Sequence, residues 1–145
     1  HPLMTTSPSG GLIKTVEILK SLNAKTDSID YVFCSLPGAA YGELADARPL
    51  ACVTEPEGLS LVLERSQAEH YNLRYDGVFR CITLGVHSSL NSVGLTAAVS
   101  TELASHQISA NLIAGTYHDH ILVPAADAER ALKVLHKLSA ETVSR

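Results

Sequence analysis

The stretch from His87 to Pro124, HSSLNSVGLTAAVSTELASHQISANLIAGTYHDHILVP, decides the fold. A small polar cluster, Ser88, Ser89, Asn91 and Ser92, stands directly after an apolar run and directly before Leu95, Ala98, Val99 and Leu103. Three-and-four spacing of that kind marks one face of a helix, so a strand feeds a loop that feeds a helix N-terminus. Beyond Gln107 the chain alternates through Asn111, Leu112, Ile113 and Ala114, turns at TYHD, and returns as His120, Ile121, Leu122 and Val123. The unit reads as strand, loop, helix, hairpin.

The start of a helix leaves backbone N–H groups without intrahelical partners and carries a partial positive charge. The loop ending at Gly94 is therefore a place for a carboxylate or phosphate, and Gly94 lets a ligand approach the backbone closely. If the two following strands lie beside the first, TYHD falls at the sheet edge and supplies a second wall carrying Thr116, Tyr117 and Asp119. An amide-rich loop facing a carboxylate suits a zwitterion. The competing reading is a well-capped helix start with no ligand at all, since such caps are common.

These residues carry a resemblance. SVGLTAAVSTELASHQISANLIAGTYHDHILVP is similar to the second half of an ACT domain, a small regulatory module that binds amino acids. The wider span from about Gly11 to Leu138 resembles short stand-alone proteins built from two tandem ACT-like units, and GTYHDHILVP is similar to the hairpin of the arginine-sensing CASTOR proteins. The resemblance implies that Gly94 is the glycine of the ligand loop and that Thr116, Tyr117 and Asp119 line the pocket. The turn is a residue shorter than in the arginine sensors and has histidines on both sides of the aspartate, so the ligand's identity stays open.

Working outward, LIKTVEILKSLN puts Leu12, Val16 and Leu19 on one helix face and ends near Asn23 in the polar stretch AKTDS. DYVFCSL reads as a strand closed by Pro37 and Gly38, LACVTE as a second, EPEG as a turn and LSLVL as a third strand. Residues 39–49 give no clear signal. Ser66 with Glu69 forms a capping-box pattern opening a short helix, RSQAEHYN. VFRCITLGV reads as the longest strand, central because few polar residues fall on either face. The last segment, AADAERALKVLHKLSAE, aligns Ala128, Ala131, Leu132, Leu135 and Leu138 on one side, with acids early and cations late as the helix dipole favours.

A weak internal echo, LSLVLERSQAE against HILVPAADAE, aligns Leu61 with Leu122. Neither half carries a complete four-stranded, two-helix set, so strands are expected to be exchanged between the halves or between chains. The fold expected is α+β: two interlocked ACT-like, ferredoxin-like βαββαβ units, with antiparallel sheets and helices on one face of each. Residues 1–10 read as a disordered leader or expression scar, 11–77 as the N-terminal unit and 78–145 as the C-terminal unit.

Composition narrows the function. Of the 145 residues 46% are hydrophobic and 18% charged, an ordinary globular balance. A net charge of −4 with lysines and arginines scattered singly offers no stripe for a phosphate backbone, so nucleic acid is not an expected partner. Apolar runs fall short of the roughly 18 residues of a membrane helix, so no membrane partner is expected either. The three cysteines, Cys34, Cys52 and Cys81, lie in apolar runs without paired spacing, which fits core residues in a reducing cytoplasm.

No nucleotide-binding glycine pattern or nucleophile elbow is present, and adjacent His87 and Ser88 on one strand end would point to opposite faces. No catalytic residue is therefore assigned, and no cofactor is expected. A metal site at His87, His118 and His120 is disfavoured on the expectation that the turn falls between the last two. The candidate ligand-binding residues are Ser88, Asn91, Ser92, Val93, Gly94, Leu95, Thr116, Tyr117, His118 and Asp119. The function expected is non-catalytic binding of an amino acid in a regulatory or sensory role, by a homodimer with a possible partner enzyme. The alternative is an assembly module with a vestigial site.

Overall fold

A computed structural model describes residues 16–143 apart from 18, 87, 88 and 92. The leader expected at residues 1–10, the candidate binding residues Ser88 and Ser92, and His87 lie outside the described residues. Apolar alternation broken by turn residues builds six strands: β1 (Ala24–Pro37), β2 (Ala51–Glu55), β3 (Gly58–Glu64), β4 (Phe79–Leu84), β5 (Asn111–Ala114) and β6 (Asp119–Pro124). Three helices accompany them, α1 (Arg65–His70), α2 (Leu95–Ser105) and α3 (Ala128–Val143). Residues 16, 17, 19 and 20 are also helical, and the chain leaves that helix at Ser21.

All six strands join one antiparallel sheet in the order β2-β3-β1-β4-β6-β5. β1 serves both halves. From Tyr31 to Pro37 it pairs with β3, and from Ala24 to Tyr31 it pairs with β4. β4 in turn pairs with β6, so the sheet runs unbroken between the two ACT-like halves and interlocks them.

β1, with 14 residues, is the longest strand; β4, expected to be longest, has six but does lie in the middle of the sheet. Hydropathy missed the start of β1 because AKTDS is polar. A register irregularity between Thr26 and Asp30 lets the polar side chains leave the sheet while the backbone stays bonded. The Ile29 N–H donates to Asp27 Oδ1 at 3.0 Å, and Ser28 takes φ 64°. The capping box at Ser66 does not form. The N-cap is Glu64, two residues before Ser66, and Glu69 instead accepts from Arg65 Nε at 3.2 Å and from the Tyr75 hydroxyl at 3.0 Å. Residues 39–49 hold a 3-10 turn at Ala45–Ala47 between left-handed Leu44 and Arg48, which has no hydrophobic period to detect.

Side-chain alternation sorts the core. On the helix-bearing face, Ile82, Leu84, Ile121 and Val123 pack with Leu95, Val99 and Leu103 of α2 and Ala131, Val134 and Leu135 of α3. On the same face Val32, Cys34, Leu59, Leu61 and Leu63 pack with Ala68 of α1. Between the two clusters Arg80 donates from Nε to Asp30 Oδ1 at 2.6 Å. The opposite face gathers Tyr31, Val62, Cys81 and Leu122. α3 is fastened to the helical residues before β1 by Ser139, whose hydroxyl donates to the Lys20 carbonyl at 2.9 Å, and to the start of β1 by His136 Nε2, which donates to the Ala24 carbonyl at 3.0 Å.

Because β1 and β4 belong to both halves, the chain should unfold in a single transition. Leu63→Ala in one cluster and Leu103→Ala in the other should each lower stability by about 2–5 kcal/mol. Denaturant titration followed by circular dichroism checks this; two resolved transitions, each moved by only one substitution, would contradict it.

Candidate functional site

The β4–β6 ladder ends with Thr83 opposite His120, so Leu84 and Asp119 come next in line at the same end of the sheet. Beyond Leu84 the chain runs through the loop to α2, and before Asp119 lies the β5–β6 turn. The end of β4 and the β5–β6 hairpin therefore stand at one end of the sheet. Alternation from Ile121 puts Asp119 on the helix-bearing face, where Leu84 and the first residue of α2, Leu95, share a buried cluster.

Gly94 is the N-cap of α2 in the left-handed region, φ 103°, and makes no side-chain cap. The Ala98 N–H donates to the Gly94 carbonyl at 2.9 Å as the first bond of the helix. The amides that the helix geometry itself leaves without intrahelical acceptors are consequently those of Leu95, Thr96 and Ala97. Thr96 and Ala97 were not singled out from sequence; reading Gly94 as the N-cap would have found them. Leu95 can offer only its backbone, since its side chain is buried, while Val93 is 81% exposed. Asn91 is exposed, and its N–H donates to Ser89 Oγ at 3.1 Å within the loop.

The hairpin turn differs from expectation. The Gly115 N–H donates to the His118 carbonyl at 2.9 Å, so Thr116 and Tyr117 alone form the bend and Asp119 opens β6. Tyr117 stands 65% exposed at the tip. No turn falls between His118 and His120, which corrects the sequence expectation: both alternate onto the face opposite Asp119. The candidate residues thus divide, with Asp119 and the α2 amides on the helix-bearing side and His118 on the other. Among the described residues no group of three or more His, Cys, Asp or Glu side chains could hold a metal ion.

On that other face His120 Nδ1 and Thr83 Oγ1 are 3.0 Å apart. Burial holds the His120 pKa below the ordinary 6.5, His118 nearby pushes the same way, and Asp119 opposes. Two shallow hollows bounded by described residues lie in the N-terminal half. One, about 350 Å3, is lined by Ile29, Asp30, Glu64, Arg65, Ser66 and Glu69. The other, about 250 Å3, is lined by Gly42, Leu44, Ala45, Asp46 and Tyr71.

With its folded pKa below 6.5, His120 binds a proton less tightly in the folded than in the unfolded chain. Its contribution to stability is therefore intact above pH 6.5, falls as pH drops through 6.5, and levels off below the lowered folded value. His120→Asn, which keeps a polar atom near Thr83, should flatten that acid-side slope in pH-dependent melts; an unchanged slope would assign it to another group.

Two family models, both described as ACT domain, match residues 14–80 and 78–137. Their overlap falls where β4 begins, at the strand shared by the halves. A solved structure from Vibrio cholerae, described as a protein of unknown function and possible transport protein, is 44% identical, covering 89% of this chain and 98% of that one with a TM-score of 0.80. An Agrobacterium tumefaciens protein is 20% identical over 80% of this chain and 87% of that one, TM-score 0.67. The ligand-free regulatory subunit of aspartate kinase from Thermus thermophilus is 14% identical over 79% of this chain and 95% of that one, TM-score 0.52, a likeness of fold. Among curated proteins none matches. Two matched units spanning most of the chain, together with a relative alike over nearly its whole length, place this protein in the ACT-domain family.

Proposed function

We propose that the protein is a non-catalytic regulatory or sensory module that reversibly binds a small zwitterion of the amino-acid type at the C-terminal end of β4. The observation that supports this most is that the register puts Asp119 next to Leu84 at the end of the sheet, and Leu84 shares a buried cluster with Leu95 at the start of α2. In this reading the amides of Val93, Gly94, Leu95, Thr96 and Ala97 provide donors for the carboxylate, and Asp119 accepts from the amino group. Thr116 adds a hydrogen bond, and Tyr117 folds over the aliphatic part.

Charge-assisted hydrogen bonds contribute about 1.5–3 kcal/mol each. Three of them approach the roughly 8 kcal/mol of a micromolar complex only if water is excluded.

A protein of the same fold is the regulatory subunit of an enzyme, which favours a partner enzyme as the recipient of the signal. Self-association as a homodimer and residence in a reducing cytoplasm, in keeping with three free cysteines, belong to the same proposal.

Calorimetry against the twenty amino acids tests it. At least one should bind with a dissociation constant below millimolar, and both Asp119→Ala and Gly94→Val should abolish the signal. The aspartate change should leave the fold intact, whereas valine at φ 103° adds strain of about 1–3 kcal/mol. Binding that survives both substitutions would move the site elsewhere. Self-association without any amino-acid binding would favour the assembly-module reading.

A further inference from the structure

The two halves of the sheet are related by register about the pair Tyr31–Phe79. Tyr31 through Leu36 correspond to Phe79 through Leu84, 48 positions on, and Gly58 through Glu64 correspond to His118 through Pro124, 60 positions on. Each partner agrees: Cys34 opposite Leu61 answers to Ile82 opposite Ile121, and Thr54 opposite Leu59 answers to Ala114 opposite Asp119. The sequence echo was one residue out. Leu122 corresponds to Val62, both on the helix-free face, whereas Leu61 lies under the helices.

This correspondence identifies the place in the N-terminal half where a second copy of the candidate site would lie. We infer that each chain carries one ligand site, in its C-terminal half, and that the corresponding place in the N-terminal half is closed; this rests on the binding reading proposed above. Both the carboxylate and the helix start that recommend the C-terminal site are missing from the corresponding positions.

The position of Asp119 is taken by Leu59, which is 1% exposed and part of the N-terminal core, so that position offers no carboxylate to an amino group. The position of His118 is taken by Gly58 at φ 143°, where an added Cβ would stand 2.2 Å from the Leu36 carbonyl oxygen and 2.6 Å from Gly38 N. The hairpin is thus pressed directly onto the end of β1, and the Gly38 N–H donates to the Glu57 carbonyl at 2.9 Å. The 11 residues of α2 have as their counterpart only the three-residue 3-10 turn Ala45–Ala47, which presents no comparable row of free amides. The hollow beside that turn holds one carboxylate, Asp46, and faces Tyr71 of the neighbouring α1 end rather than the β2–β3 hairpin.

The test is the calorimetric stoichiometry of the full chain with whichever of the twenty amino acids gives the largest heat, in the wild type, Asp119→Leu, Asp119→Asn and Asp46→Ala. Asp119→Leu installs the residue that the corresponding position already carries, and Asp119→Asn keeps the shape while removing the charge, so a folding failure in one leaves the other informative. The expected result is one equivalent per chain in the wild type and in Asp46→Ala, with at least a tenfold loss of affinity in both Asp119 variants. Two equivalents per chain, or one that persists in the folded Asp119 variants and disappears in Asp46→Ala, would overturn this inference while leaving amino-acid binding standing. Silence of the wild type toward all twenty would overturn the binding reading, and this inference with it.

Discussion

The ladder between β1 and β4 is the constraint on which the rest of the structure depends. Each half of the sheet needs a strand that the other half supplies, so neither can close without the antiparallel pairing of Ala24–Thr26 with Ile82–Leu84 and of Asp30 and Tyr31 with Arg80 and Phe79. Side chains reinforce the junction on both faces. Phe33 and Phe79 meet edge to face at 5.1 Å, and Arg80 bonds Asp30 where the two helix-covered clusters approach each other. The ion pair is about one-third exposed on each side, so screening leaves it little net stabilisation. Its guanidinium nonetheless fixes which way Asp30 turns at the irregularity in β1.

That irregularity separates two environments along a single strand. Downstream of it the strand alternates between the N-terminal core and the open face; upstream it borders the C-terminal half and is polar enough to look like a linker. A β-strand this long would normally present a free edge to other chains. Here part of that edge is occupied: the Ala24 carbonyl accepts from His136, and the amides of Ser28 and Ile29 turn to Thr26 and Asp27.

The fold class could be read from the sequence because its strongest signals are local and periodic. Leu95, Val99 and Leu103 on a helix face, and the alternation through Asn111–Ala114 and Asp119–Pro124, are satisfied by the core they face. What escaped were features set by partners distant in sequence. Ala24–Asp30 is a strand because β4 lies beside it, and nothing in its own hydropathy says so. Ser66 lost its capping role because Arg65 and Tyr75 drew Glu69 toward them. The candidate site was legible as residue types, an amide-rich glycine loop and an aspartate in a hairpin, yet not as faces. Moving the turn to Thr116 and Tyr117 sends His118 and Asp119 to opposite sides of the sheet, because side-chain direction reverses with every residue along a strand.

Sharing strands across the midline also limits how a protein of this design can be rearranged. A free-standing module with all its own strands can be excised, duplicated or spliced into another polypeptide, whereas cutting this one near β4 would leave each fragment short of a neighbour it cannot replace. Recombination can add domains beyond the outer ends or lengthen a connection such as the one that holds α2. It cannot deal the two halves separately, and they must be inherited together.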